Sequence, residues 1–170
     1  MGNGHSSING ANRSAAASVG LHSFRHLAQG DVPAWLAFLE AHRWLARRCR
    51  YDVELGVGAA VSTAGGLLVP APYARLLKKR VDVVVGCWWG FVAIEVKPIA
   101  GAGALGQAAM YRQLLREQTA ADCEVGGCVV AATLDRDCLT TFAAAGLAVW
   151  VSGSGWVTPE PAWARRAVAE

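Results

Sequence analysis

Residues 80–112, RVDVVVGCWWGFVAIEVKPIAGAGALGQAAMYR, determine the fold that we expect for this chain. Two largely apolar runs of strand length, 80–86 and 90–98, are separated by only a few residues, a spacing that predicts an antiparallel hairpin turning near Trp88 and Trp89. Pro98 is expected to end the second strand, because proline cannot donate to a ladder. A Gly-rich connection follows, and the pattern then indicates a helix over about 104–117.

Polar side chains interrupt these runs at positions where packing alone would not place them. Asp82 lies within the first strand, and Glu95 and Lys97, two residues apart, share one face of the second. Gln107 and Tyr111, four residues apart, share one face of the helix. In the predicted hairpin Asp82 lies roughly opposite Glu95. Because a buried acid is costly unless it is paired or binds a cation, the pattern indicates a site.

The chemistry of this group follows from its charge. Two carboxylates at one strand end, together with a main-chain carbonyl, form an oxygen-rich pocket suited to Mg²⁺ or Mn²⁺. Such an ion binds a phosphate oxygen and lowers the pKa of a bound water. A neighbouring lysine orients or deprotonates that water, or stabilises charge in the transition state. The pattern therefore predicts metal-assisted hydrolysis of a phosphodiester. The alternative is a partly buried salt-bridge network, in which one lysine neutralises only one of the two acids.

Asp82, the Glu95-Val96-Lys97 triplet, Gln107 and Tyr111 together resemble the PD-(D/E)xK nuclease superfamily. The Gln-x-x-x-Tyr pair is similar to that of its RecB-like branch, and the order of elements resembles archaeal Holliday-junction resolvases and Mrr-type restriction enzymes. The resemblance implies a restriction-endonuclease-like α-β-β-β-α-β core with a central mixed sheet flanked by helices. It makes Asp82 and Glu95 metal ligands and Lys97 the catalytic lysine. Gln107 and Tyr111 would complete the catalytic site or contact DNA.

A further acid is expected on the first helix, where many members of this superfamily carry one. Asp31 and Pro33 predict a helix start, and the apolar spacing indicates an amphipathic helix to about residue 48. By the resemblance Glu40 would be a third metal ligand. Two alternatives stay open: Glu40 is a surface residue paired with a neighbouring arginine, or Glu54 supplies the acid.

Basic and aromatic residues near the hairpin are candidates for contact with nucleic acid. The predicted phosphate contacts are Lys78, Lys79, Arg80 and Arg112, with a further arginine cluster at Arg43, Arg47, Arg48 and Arg50. The triplet at 78–80 would otherwise be an ordinary charged loop. Trp88 and Trp89 suit base stacking, a dimer contact or a buried corner, and the sequence does not choose among these. A net charge of +3 permits a polyanionic partner.

Composition limits the class of protein. We expect a flexible tail over 1–20 and one nuclease-like domain over 21–170, because 170 residues with 54% hydrophobic content suffice for one core. No apolar run approaches the ~20 residues that span a bilayer. Five cysteines, an odd number, and the lack of a secretory signal favour a cytoplasmic protein with free thiols. Their spacing fits neither an iron–sulfur cluster nor a zinc site.

These patterns predict a Mg²⁺-dependent deoxyribonuclease that recognises the structure of DNA more than its sequence, alone or as a homodimer. DNA versus RNA and endonuclease versus exonuclease stay open. A catalytically weak or inactive nuclease fold that binds nucleic acid or assembles a complex is the alternative. A phosphotransfer enzyme finds no support, because no P-loop or Rossmann glycine pattern is present.

Overall fold

The computed structural model describes residue 24, residues 26–56, residue 58 and residues 78–165. The tail expected over 1–20 lies outside these residues.

The described chain contains four α-helices, two 3₁₀ segments and six strands. In order they are α1 (Val32–Ala41), a 3₁₀ segment (Arg43–Arg47), β1 (Cys49–Leu55), β2 (Lys79–Cys87), β3 (Gly90–Ala100), α2 (Ala102–Gln118), β4 (Glu124–Leu134), a 3₁₀ segment (Arg136–Cys138), α3 (Leu139–Ala144), β5 (Ala148–Val151), β6 (Gly155–Trp156) and α4 (Ala162–Arg165). No helix of the described residues is long and apolar enough to cross a membrane.

The strands form one open mixed sheet in the order β1-β2-β3-β4-β5-β6. β2 lies antiparallel between β1 and β3, the strands β3, β4 and β5 are parallel, and β6 returns antiparallel to β5. The expected α/β class is confirmed, and the elements through β4 follow the expected α-β-β-β-α-β order. α3, β5, β6 and α4 follow that core.

The hairpin of β2 and β3 turns at the two tryptophans, as predicted. Val83 pairs with Ile94, and the register continues to Cys87 opposite Gly90. Gly90 has a φ of +157°, and a Cβ there would lie 1.9 Å from the carbonyl oxygen of Glu124. Glycine is therefore required where β3 starts beside β4.

Pro98 does not end β3, contrary to expectation. The strand continues to Ala100, pairing with β4 through Ile99 and Thr133. The pairing of β3 with β2 extends only to Ile94, so within the described residues Pro98 lies on a stretch where β3 has a partner strand on one side. Proline is tolerated at such an edge because no ladder acceptor on that side requires its missing N–H.

Helices cover both faces of the sheet. Trp35 and Phe38 of α1 pack with Val83, Val85 and Ile94 on one face, which we call the α1 side. On the opposite face, the α2 side, Tyr111 and Leu115 pack with other strand residues, among them Val81, Val84 and Ala93. These two layers bury the sheet on both faces around its centre.

The first helix is shorter than predicted. It ends at Ala41, and a turn of 3₁₀ helix replaces the expected continuation to about residue 48. His42 leaves the helical conformation, with φ −129° and ψ 56°, and its Nδ1 forms a hydrogen bond with the carbonyl oxygen of Phe38. The buried imidazole stacks at 4.4 Å on the Phe38 ring, and this packing accompanies the helix end.

Candidate active site

The strand pair β2–β3 brings three of the predicted residues together. Continuing the register of Val83 with Ile94 places Asp82 opposite Glu95. Asp82 Oδ2 accepts a hydrogen bond of 2.9 Å from the backbone N–H of Val96. The ammonium of Lys97 lies 2.5 Å from Glu95 Oε1. Asp82, Glu95 and Lys97 therefore form one contact group, as the sequence pattern predicted.

The sheet is irregular next to Asp82. Val81 packs on the α2 side and Val83 on the α1 side, although residues two apart in a regular strand share a face. In β1, Asp52 has a φ of +54°, which is uncommon for a residue other than glycine. The β1–β2 register places Asp52 opposite Asp82. The alternation of both strands is thus broken at the two acids, a feature that the sequence did not indicate.

The helix α2 presents the predicted Gln107–Tyr111 pair to the same place. Tyr111 is 6% exposed, and burial and the negative charges of Glu95 and Asp82 raise the pKa of its phenol. A hydrogen bond with the Gln107 side chain acts in the opposite direction on that pKa. Both residues therefore belong to the surroundings of the carboxylates.

Asp31 is a site residue that the sequence analysis missed. We expected its carboxylate to cap α1, but it makes no capping hydrogen bond, and its Oδ1 is buried without a partner. Burial raises the pKa of Asp31, and the charge of Lys97 opposes that rise. The charge of Asp82 also acts on Asp31, so Asp31 lies within electrostatic range of the group on β2 and β3. The only signal in the sequence was an acid before Pro33.

The assignment of Glu40 on α1 as a third metal ligand was wrong. Its side chain is 77% exposed and lies 3.8 Å from Arg43, so it is the surface residue that the alternative described. Glu54 is not at the site either, because its carboxylate pairs with Arg80 at 3.1 Å and with Lys78 at 3.7 Å. Asp31, at the start of α1, is the acid on which the charge of Asp82 acts.

Burial governs the ionisation of the site. Glu95 is 1% exposed, and burial together with repulsion from Asp82 raises the pKa of its carboxyl to about 7. Burial also raises the pKa of Asp82, against the lowering effects of the Val96 N–H and Lys97. The two carboxyls are close enough to share a hydrogen bond when one is protonated. Burial alone would lower the pKa of Lys97, but its hydrogen bond to Glu95 and the surrounding acids raise it.

The donor set suits a hard divalent cation. Glu95 Oε2 and Asp31 Oδ1 are both buried and have no hydrogen-bond partner. Within the described residues no three His, Cys, Asp or Glu side chains converge in a metal-holding arrangement. The site therefore offers the facing carboxylates of Asp82 and Glu95, and Mg²⁺ typically takes one or two carboxylates and completes its shell with water and substrate oxygens.

The basic residues that we assigned to phosphate contact are mostly engaged elsewhere. Arg80 forms ion pairs with Asp52 and Glu54, and Lys78 shares Glu54. Asp52 is also 2.8 Å from the imidazole of His26. The expected phosphate-binding lip is therefore largely neutralised by acids, and Lys79 is the member that stays exposed without an acidic partner among the described residues.

Arg112, which was predicted to contact nucleic acid, forms hydrogen bonds with the backbone. Its guanidinium donates to the carbonyl oxygens of Ala145 at 2.9 Å and Gly146 at 3.1 Å. These carbonyls follow the end of α3, where Gly146, with a φ of +63°, terminates the helix. Nη1 of Arg112 is therefore engaged in holding this turn, and its assignment to DNA binding stays a prediction.

The two tryptophans of the hairpin differ in their surroundings. Trp88 is 72% exposed, whereas Trp89 is partly buried and packs against the α1 side of the core. A larger cleft of about 950 Å³ lies where β4 and β5 begin, lined by Trp89 and Trp163 among others. None of Asp82, Glu95 and Lys97 lines it.

Comparison with known proteins gives no relative for this arrangement. No family model matches the chain, and neither the curated proteins nor the solved structures contain a match.

Proposed function

We propose that the chain is a divalent-metal-dependent nuclease with a restriction-endonuclease-like fold. The observation that carries the proposal is Glu95 Oε2, a carboxylate oxygen that is buried, unpartnered and opposite a second carboxylate, that of Asp82. The element order α1–β1–β2–β3–α2–β4 is the order of the superfamily that the sequence resembles, and it supports the fold assignment.

The charge balance supports a cation at the site. Asp31, Asp82 and Glu95 act on one another or on Lys97, and this lysine is the single cation that acts on the group among the described residues. One ammonium neutralises one carboxylate, so the others must bind protons or a metal ion when buried. A salt-bridge network alone leaves at least one negative charge uncompensated.

Each residue has a definite task in the proposed reaction. A bound Mg²⁺ or Mn²⁺ supplies a Lewis acid for a phosphate oxygen and lowers the pKa of an attacking water. Asp82 and Glu95 hold that ion. Lys97, whose raised pKa keeps it protonated, stabilises negative charge on the phosphoryl oxygens in the transition state. This charge favours the electrostatic role of the lysine over that of a general base.

The helix α2 holds the site from one side. Tyr111 is buried, the charges of Glu95 and Asp82 act on its hydroxyl, and the Gln107 side chain forms a hydrogen bond with it, so we assign the pair to supporting the site. We propose DNA as the substrate, recognised by its structure. The described residues include no inserted unit beside the sheet that would read a base sequence.

A second candidate is a nuclease fold that binds nucleic acid without cleaving it. The observation that favours it is the Lys97–Glu95 ion pair of 2.5 Å, since a protein without a metal would retain such a pair to satisfy Glu95 Oε1. Metal binding distinguishes the two candidates.

The test is cleavage of a panel of single-stranded, duplex, flapped and branched DNA in Mg²⁺ and in Mn²⁺. We expect Asp82→Asn and Lys97→Met each to lower the rate by about 10²–10⁴-fold, because each removes charge that acts in the transition state. Glu54→Gln is the matched control, since this acid pairs with surface cations. Full activity in both site variants would refute the assignment, and titration of the wild type with Mn²⁺ shows whether the binding module is the better description.

A further inference from the structure

Uncompensated positive charge lies at the other end of the β1–β2 ladder. Arg47 and Arg50 are exposed, and within the described residues no acid lies within ion-pair distance of either guanidinium. By contrast Arg43 pairs with Glu40, and Arg165 with Glu160. Arg47 and Arg50 are therefore available to an anionic partner in a way that the paired arginines are not.

The two arginines border a cleft that also has aromatic walls. The cleft has a volume of about 500 Å³ and is lined by Arg47, Arg48, Arg50, Gly86, Trp88 and Phe91, among others. Gly86, which has no side chain, lies on its floor, where its N–H donates to the carbonyl oxygen of Arg48. Trp88 projects from the hairpin turn and is 72% exposed. Cations and an exposed indole thus surround a space of the size that small ligands occupy.

We propose that this cleft binds one nucleotide of a single-stranded nucleic acid, with its phosphate on Arg47 and Arg50 and its base stacked on Trp88. The proposal rests on the proposed function, because it names a second contact for the same polymer. Arginine next to an aromatic ring is the combination that binds single strands without reading their sequence. Stacking requires an unpaired base, so a single strand fits the cleft better than a duplex.

The cleft is separate from the carboxylate site. Asp82 does not line the cleft, and Cys87, the last residue before the turn, lies five residue steps along β2 from Asp82, roughly 17 Å at ~3.3 Å per residue. A nucleic-acid strand held at the hairpin turn therefore reaches Asp82 and Glu95 only if it is several nucleotides long. Binding in the cleft would therefore set the number of nucleotides between the stacked base and the phosphodiester at the carboxylate site.

The test measures binding without cleavage. A fluorescein-labelled oligothymidylate of ~12 nucleotides is titrated with the full chain in EDTA, and anisotropy is recorded at several salt concentrations. The double variant Arg47→Gln/Arg50→Gln should bind about tenfold more weakly, and its salt slope should fall by about 0.7, since both arginines contact one phosphate and each phosphate contact on a single strand contributes ~0.7. The matched control is Arg43→Gln/Arg165→Gln, which removes the same charge from paired positions and should leave both quantities unchanged.

Trp88 provides the second arm. Trp88→Ala should weaken binding by about tenfold, and Trp88→Phe should recover most of the loss, because stacking needs an aromatic ring. All these side chains are exposed, so circular dichroism and the unfolding midpoint should match the wild type. Because EDTA removes divalent ions, this result does not depend on whether the protein cleaves DNA.

Three outcomes overturn the proposal. One is wild-type affinity and slope in Arg47→Gln/Arg50→Gln. The second is equal binding by Trp88→Ala and Trp88→Phe, because a ring-independent site does not stack a base. The third is competition by polyglutamate as effective as by unlabelled oligothymidylate, which would identify a general patch for acidic polymers. If the wild-type protein does not cleave DNA but still binds it through Arg47 and Arg50, the nuclease proposal is refuted. The assignment of the cleft as a nucleotide-binding site then stands.

Discussion

The two ends of the β2–β3 hairpin carry uncompensated charge of opposite sign. Near the partly buried Asp82 and the buried Glu95 the acids outnumber the neighbouring lysine, so the protein has negative charge that its own residues do not neutralise. At the turn, Arg47 and Arg50 are exposed and positive charge is left without an acid among the described residues. The comparison shows that charge counts alone do not identify a phosphate-binding surface. The pairing of each cation decides it.

The triplet at 78–80 illustrates this point. It has the denser basic sequence, yet Asp52 and Glu54 pair with Arg80, and Glu54 also pairs with Lys78. These acids come from β1, and they reach the triplet only because β1 pairs with β2. A basic run is therefore a weak predictor when the neighbouring strand carries acids at matching positions.

The largest effect on metal affinity is expected from neutralising Asp31, the acid that only the fold brings near the site. Asp31→Asn keeps the shape of the side chain and removes its charge, and we expect it to weaken Mn²⁺ binding by about 10–100-fold, the range for groups that tune a metal site. Glu40→Gln, four-fifths exposed on the same helix, should have no effect. Isothermal titration of both variants with Mn²⁺ measures the difference, and equal affinities would remove Asp31 from the site.

A change of pH is expected to have a smaller effect on Mn²⁺ affinity, and it should also change the stability of the fold. Because burial raises the pKa of Glu95 to about 7, the folded metal-free protein holds a proton that the unfolded chain releases at lower pH. The stability from this proton is complete below the ordinary carboxyl range and is lost as the pH rises through about 7. Mn²⁺ affinity changes in the opposite direction and should increase about tenfold from pH 6 to pH 8, because metal and proton compete for one carboxylate.

The same change of pH should leave binding at the turn unaltered, since arginine does not titrate in this range. Oligothymidylate affinity in EDTA at pH 6 and pH 8 provides this control. In Glu95→Gln the pH dependence of urea unfolding should be flatter than in the wild type. An oligothymidylate affinity that follows the Mn²⁺ affinity across this range would show that the two ends are not independent.

The local sequence pattern was sufficient to predict which residues lie at the centre of the site. Asp82, Glu95 and Lys97 lie on two strands joined by a short turn, and alternation along a strand and the hairpin register bring such residues together. Gln107 and Tyr111 could be predicted for the same reason, because one helix face carries both. The α/β class followed from the order of apolar runs.

Contacts between elements distant in sequence were not predictable. Asp31 reads as a helix cap in the sequence, and its approach to Lys97 depends on how α1 packs across the sheet. Arg112 reads as an exposed cation, yet its partners lie more than thirty residues later, at the end of α3. The positive φ of Asp52 depends on tertiary context that no local motif specifies. Each of these errors concerns a side chain whose partner is set by packing.

The central claim is that the buried carboxylates hold a divalent cation. The most direct measurement is the anomalous difference map of crystals grown in Mn²⁺, from the wild type and from Glu95→Gln. The account predicts a peak within about 2.0–2.3 Å of carboxylate oxygens of both Asp82 and Glu95, absent in the variant. A map without manganese at these carboxylates, with Lys97 still bound to Glu95, would contradict it.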